Sequence, residues 1–487
     1  MGKPETPSSP VSKPKAVQVV AKPKRKGAMF GDFEGASRWL LERTDVERMV
    51  PSRVVQDTLK LGRMQKLMDL LGRPEKAFKS VHVAGTKGKG STCEMTAAAL
   101  EACGYTVGLY TSPHLMNIRE RIRLNRDNIP EDAFVAVARR VAEAEGALEE
   151  ADGEPTFFEL ITAMGLCHFE EQAVDVAVIE VGLGGRLDST NVITPEVCAI
   201  TRISLDHTQL LGSTLEKIAR EKAGIFKPGV PAVSGLQAPG VLEVLREEAS
   251  RVGAPLRALG GEIEYSARFD AGGSSGVPRM RVSVGAGGFA EDGHRGGDGG
   301  GAGYEHVTVP LRGEHQAANC GLALAILSSL GERGIRVPEE KVSRGLASVS
   351  MPGRLEVLRS TPRIVLDGAH NAESVMCVMK TLSAQMHYDS MVVVFACAAD
   401  KDIDGMMREL AAGADKVIFT KTRSARAADP RELARRFADA TGKGAQTAPG
   451  AREALEQAKR AVAREDLICV TGSFYLVAEV REILGLK

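Results

Sequence analysis

Several features are missing from this chain, and each absence narrows what it can be. No apolar run approaches 18 residues, so no segment reads as a helix able to cross a bilayer. The N-terminus is basic but has no apolar stretch of the kind that a secretory signal requires. No two of the eight cysteines are spaced C-x-x-C. They lie scattered, most of them in apolar surroundings, which favours reduced thiols in a cytoplasmic protein over a disulfide frame or a zinc site. Net charge is also missing: 63 Lys and Arg balance 63 Asp and Glu, which gives no basic surplus for generic nucleic-acid binding. What remains is ordinary. The 487 residues are 43% hydrophobic and 26% charged, enough for two or three domains with real cores.

Residues 1–28 are rich in Pro, Lys and Ser and read as a disordered tail. A helical pattern follows from Asp32 to Leu71. Apolar runs then alternate with helical sequence: Val81–Val83, Thr106–Tyr110, Val174–Val181 and Val197–Ile203 read as strands. Such alternation predicts a doubly wound α/β domain with its ligand at the C-terminal ends of the strands. Between residues 255 and 312 the composition turns to β-type and glycine, with an extreme run at 285–303 that reads as a surface loop. A second α/β unit starts near Met351. Its strands are Ile364–Asp367, Met391–Cys397, Lys416–Thr420 and Leu467–Thr471, each but the last followed by helical sequence. The expected division is therefore 1–28, 29–350 and 351–487.

The first strand leads into the most informative stretch, Gly85-Thr-Lys-Gly-Lys-Gly-Ser91. Strand, glycine loop and helix form the layout of a phosphate cradle. Glycines let backbone N–H groups turn toward phosphate oxygens, and the helix N-terminus adds partial positive charge. Lys89 would reach the β- and γ-phosphates and the Ser91 hydroxyl a Mg²⁺. The match to G-x-x-x-x-G-K-[ST] is imperfect, since Val83 and Gly90 stand where Gly and Ser or Thr are expected.

Other residues stand out by position. Glu180 ends a buried apolar strand, where a carboxylate is costly unless paired, and a hard cation beside nucleotide phosphates is the obvious partner. Lys222 sits in the last turn of a helix capped by Ser213 or Thr214 and stopped by Gly224, which reads as a surface lysine favouring the helix dipole. Arg119, Arg121 and Arg123 alternate along a segment that reads as extended. Period two puts all three on one face, either as a guarded strand edge or as a basic surface for a polyanionic substrate.

The cradle resembles the ATP loop of the Mur ligase superfamily. Further motifs narrow the resemblance: Tyr110-Thr-Ser-Pro-His114, Glu180-Val-Gly-Leu-Gly-Gly-Arg-Leu-Asp188, Leu205-Asp-His207, Arg220-Glu-Lys-Ala-Gly-Ile225 and Leu366-Asp-Gly-Ala-His-Asn371. Together they are similar to folylpolyglutamate synthases, many of them also dihydrofolate synthases, from about residue 35 onward. The resemblance implies a Mur-ligase-like fold: a P-loop ATP-binding domain followed by a smaller Rossmann-like domain. It implies an ATP-dependent ligase adding L-glutamate to the γ-carboxylate of a folate, with dihydropteroate left open as a second acceptor. The implied partners are folates, L-glutamate and ATP, acting on a monomer without nucleic acid or membrane.

By the same resemblance, ATP is held by Gly85, Thr86, Lys87, Gly88, Lys89, Gly90 and Ser91 with Asn319, Arg354 and Asp367. Two Mg²⁺ ions draw on Ser91, Ser112, Glu180, His207 and Lys222, with Lys222 carrying a carbamate. Lys89, Glu180, His207 and Lys222 are the implied catalytic set. Thr156, Phe157, Phe158 and Asp188 line the pterin pocket, and His370, Asn371 and Ser424 contact the incoming glutamate. Two rivals stand beside this reading. One is a Mur-type ligase acting on a cell-wall precursor, against which the short segment before the cradle counts. The other is a scaffold that binds ATP without catalysis, which would lack one of those four residues.

Overall fold

A computed structural model describes residues 30–45, 61–270, 279–285, 303–358 and 361–486. The N-terminal tail and nearly all of the glycine-rich run lie outside the described residues. Eight strands make the first sheet: β1 (Lys79–Ala84), β2 (Val107–Tyr110), β3 (Ile122–Leu124), β4 (Asp127–Asn128), β5 (Val176–Glu180), β6 (Val197–Ile200), β7 (Ala232–Ser234) and β8 (Leu256–Ala258). Their order is β4-β3-β2-β5-β1-β6-β7-β8. From β2 to β8 all neighbours run parallel, and β3 and β4 add an antiparallel edge. β5 is buried along its whole length, as its unbroken apolar sequence requires when helices cover both faces. β1 lies between β5 and β6, so the loops leaving these three strands open side by side at one end of the sheet.

Strands β9 (Tyr265–Asp270), β10 (Arg279–Val284) and β11 (Tyr304–Val309) form a small antiparallel sheet. The β-type composition of that region foretold it. The last sheet comprises β12 (Glu356–Leu358), β13 (Arg363–Leu366), β14 (Met391–Phe395), β15 (Lys416–Phe419), β16 (Gln446–Thr447) and β17 (Leu467–Thr471), in the order β12-β13-β17-β14-β15-β16. Only β12 is antiparallel to its neighbour. β12 and β16 were not expected, being too short to show periodicity. β17, expected to stand outside the strand–helix alternation, is followed by the helix Phe474–Ile483 with Ser473 as its N-cap. Among the described residues no helix is long and apolar enough to cross a membrane.

One expectation fails outright. Ile118–Arg121 is a 3-10 turn capped by Asn117 and Glu120, and only residues 122–124 are strand. Period two therefore does not hold, and the three arginines part company. Arg119 lies over the Phe33 ring. Arg121 is buried, with Nε donating to His114 Nδ1 at 2.9 Å and its guanidinium 5.1 Å from the Phe157 ring centroid. Arg123 pairs with Glu94 at 2.6 Å.

The core beside the first sheet carries a pH liability. His168, on the helix Phe157–Glu171, is 2% exposed, and neither ring nitrogen has a hydrogen-bond partner among the described residues. Burial pushes its imidazole from 6.5 down to about 4. His82 on β1 is pushed down to about 3, by burial first and then by the Lys227 charge. Both stay neutral in the folded chain, whereas the unfolded chain takes up protons below its own value near 6.5. Their stability contribution is complete above pH 6.5 and is lost as pH falls toward 4. Between pH 7.5 and 5 each should cost about 2 kcal/mol. Urea midpoints at the two pH values should show His168→Leu keeping its own share. A variant that loses as much as the parent chain would refute the assignment.

Candidate active site

The cradle is shaped by contacts that admit no side chain. Gly85 has φ +145°, and a Cβ there would lie 1.8 Å from Thr201 Oγ1. Gly88 has φ +90°, with Asn319 Oδ1 only 2.1 Å from its would-be Cβ. The amides of Thr86 and Lys87 both donate to the Arg202 carbonyl, at 3.0 and 3.2 Å. Lys87 Nζ pairs with Asp206 at 3.1 Å. The Thr86–Lys87 part of the loop is thus anchored to the segment after β6. The free donors are those of the helix Lys89–Cys103, whose first turn (Lys89, Gly90, Ser91) has no acceptor within the helix. A 15-residue helix aims its dipole there.

Glu180 ends β5 directly opposite that turn. It is 3% exposed. Ser112 N donates to its Oε2 at 3.0 Å, Lys89 Nζ lies 3.8 Å from Oε1, and a Cβ on Gly90 would be 3.3 Å from Oε2. A solvent-exposed strand end is ruled out. The structure brings Lys89, Gly90, Ser91, Ser112 and Glu180 together at one point. Among the described residues no three His, Cys, Asp or Glu side chains converge on a metal position. Mg²⁺ does not demand three, since it keeps waters and shares phosphate oxygens. A buried carboxylate flanked by serines beside the phosphate end of the cradle fits it.

Lys222 is not the surface lysine that its helix position suggests. It is 5% exposed, and Nζ donates to the Gly85 carbonyl at 2.7 Å. Burial, aided by the Lys89 charge, lowers its amine from 10.5 to about 7, so much of it is unprotonated near neutral pH. His207 begins the short helix Thr208–Leu211 at φ +48°, and its ring stays partly open to solvent. Desolvation and the charges of Lys401, Lys89 and Lys222 hold its imidazole below the ordinary range, against the pull of Asp206.

Residues from the last sheet face this cluster. A cleft of about 320 Å³ is lined by Gly90, Ser91, Ser112 and Glu180 on one side and by Arg354 and Phe474 on the other. The Arg354 guanidinium stacks 4.4 Å from the Phe474 ring centroid. Asp367 is buried and accepts from the amides of Leu355 and Ala369, both at 2.8 Å. It therefore shapes the Arg354 loop. His370 Nδ1 bonds the Gly368 carbonyl at 2.9 Å, Asn371 caps the helix Ala372–Gln385, and Ser424 Oγ accepts from Arg426 N. Across the cleft Arg202 bridges to Glu373 at 3.1 Å.

The proposed pterin residues hold local structure. Thr156 and Glu159 form a capping box, Phe157 is fully buried, and the Phe158 ring fills the space beside Gly182. Asp188 accepts from Leu183 N, Thr190 N and Thr190 Oγ1, which pins the loop after β5. Residue-by-residue reading missed Glu94, Asn128, Phe474 and Arg481, all on the cleft wall. Their only signal was proximity in sequence to motifs already noted.

Comparison with known proteins agrees with the two-domain fold. Residues 83–234 match the Mur ligase middle domain, and residues 353–474 match the Mur ligase glutamate ligase domain. The chain is 33% identical to the dihydrofolate synthase/folylpolyglutamate synthase of Bacillus subtilis, over 87% of this chain and 94% of that protein. It is 37% identical to a probable bifunctional folylpolyglutamate synthase/dihydropteroate synthase of Haloferax volcanii, covering 86% of this chain but only 47% of that longer protein. A crystal structure of Mycobacterium tuberculosis folylpolyglutamate synthase complexed with ADP and AMPPCP superposes with a TM-score of 0.79 at 34% identity, over 88% of this chain and 96% of that one.

Proposed function

Because this chain belongs to the dihydrofolate synthase/folylpolyglutamate synthase family of Mur ligases, we propose that its cleft joins the amine of L-glutamate to the γ-carboxylate of a folate at the expense of ATP. The observation that carries this is the shared cleft: the cradle turn and Glu180 on one wall, Arg354 and Phe474 on the other. A carboxylate is a poor electrophile. It first takes the γ-phosphoryl group to become an acyl phosphate, and the glutamate amine then displaces phosphate and loses a proton. The first step brings anions together, which the amides of Lys89–Ser91 and the Lys89 ammonium offset.

Ser91, Ser112 and Glu180 would hold Mg²⁺, with His207 and a carbamylated Lys222 serving a second ion. Bound there, the metal would neutralise phosphate charge and orient the transferring group. Two features support the carbamate: burial lowers the Lys222 amine to about 7, and the side chain is shielded from bulk water. Asn319 and Arg354 flank the nucleotide side, with Asp367 bracing Arg354. His370, Asn371 through its side-chain N–H, and Ser424 would receive L-glutamate. Thr156, Phe158 and Asp188 shape the pterin side from behind.

The test is ADP release with ATP, Mg²⁺ and L-glutamate, offering tetrahydrofolate or dihydropteroate as acceptor. Release should require both glutamate and acceptor. Turnover with dihydropteroate as well would make the enzyme bifunctional. ¹³C-bicarbonate should add a carbamate resonance that Lys222→Arg lacks. ATP binding with no glutamate-dependent ADP release from either acceptor would overturn the ligase reading.

A further inference from the structure

One charged pair in the cleft has no part in the chemistry above. Arg123 lies on β3 opposite Asn128 on β4, and cross-strand partners present their side chains on the same face. Both line the cleft. Arg123 donates through a terminal nitrogen to Glu94 at 2.6 Å. Glu94 stands one turn along the cradle helix from Ser91, roughly 4.5 Å in rise. Arg123 Nε is buried and has no hydrogen-bond partner among the described residues. A guanidinium carries five N–H donors. The Arg123 side chain also stays 19% exposed at the cleft wall, so the terminal N–H donors that Glu94 does not take are open to a ligand there.

We propose that Arg123, braced by Glu94 and flanked by Asn128, reads the α-carboxylate of the acceptor's terminal glutamyl residue. This rests on the folate-ligase reading and deepens it. In such an acceptor the reacting γ-carboxyl and the α-carboxylate are separated by four covalent bonds. With the γ-carboxyl at the cradle turn, the α-carboxylate falls about one helical turn away, where Arg123 stands. A carboxylate is the group that best completes a half-used guanidinium, since it accepts parallel N–H bonds. The Asn128 amide offers a further donor on the same face. Arg123 thereby selects acceptors that already carry glutamate.

The test removes the charge from each side in turn. Tetrahydrofolate and its α-carboxamide analogue are compared as acceptors for the native chain, Arg123→Gln, and the double variant Glu94→Gln/Arg123→Gln, which leaves no buried carboxylate uncompensated. The native chain should prefer the acid by about 10- to 100-fold in kcat/KM, mostly through KM. In both variants the preference should shrink to within about threefold, the coupling expected of a direct contact. A merely structural role would weaken both acceptors equally and leave the preference intact, which overturns the proposal. So does a native chain that accepts acid and amide alike. Absence of any glutamate-dependent ADP release with tetrahydrofolate is a different result, and it fails the ligase reading itself.

Discussion

Glu180→Gln should lower kcat for ADP release by two to three orders of magnitude while leaving the fold intact. The change is nearly isosteric, and the remaining carbonyl oxygen can still accept from Ser112 N, whose bond at 3.0 Å ties β5 to the Ser112–Pro113 loop. Only the charge is lost. That charge lies 3.8 Å from Lys89 Nζ and faces the first turn of the cradle helix, where a cation and transferring phosphoryl group would meet. Removing one preorganised electrostatic group at such a point costs about 10²- to 10³-fold. Thermal unfolding should shift little, because a buried carboxylate next to an incompletely matched lysine adds little net stability. Rate measurements across a Mg²⁺ titration decide the matter. A variant within tenfold of the native rate at saturating Mg²⁺ would remove Glu180 from the reaction.

The second large effect concerns a glycine far from the chemistry. Gly345, in the helix Glu339–Ala347, packs on the cradle helix so closely that a Cβ would lie 2.4 Å from the Ala98 carbonyl oxygen and 2.8 Å from the Ala99 Cα. Two effects oppose each other in Gly345→Ala. Helix propensity favours alanine by about 1 kcal/mol. The clash costs about 1–3 kcal/mol or more, since both obstacles are backbone atoms with no rotamer to escape into. The clash should win, with a net loss of about 1–2 kcal/mol for alanine and more for Gly345→Leu, read from urea midpoints. The displaced helix also carries Lys89 and Ser91, so ATP affinity should fall with stability. An alanine variant more stable than the native chain would mean that the helices have room to separate.

Gly345 also shows why parts of the molecule were legible and others not. The strand–loop–helix at residues 79–103 could be read directly because each of its signals is local. Buried apolar residues at β1 announce a strand, and glycines mark backbone conformations or approaches that other residues resist. The alternating arginines misled because Asn117 and Glu120, which cap a turn, outrank period two over four residues. The helix after β17 was overlooked because its start, Gly472-Ser-Phe-Tyr475, resembles a loop until Ser473 is seen capping it.

The sequence by itself determined the main strand–helix alternation, the cradle, and the membership of Glu180 in a buried strand, because each depends on a few adjacent residues. Only the tertiary structure decided the state of the charged side chains. Lys222 looks like any lysine in a last helical turn, yet the Gly85 carbonyl receives it inside the core and its amine falls to about 7. Arg121 and Arg123, two residues apart, end respectively beneath Phe157 and in the cleft beside Glu94. Burial and charge pairing are set by whichever distant segment covers a side chain, and no local pattern records that segment.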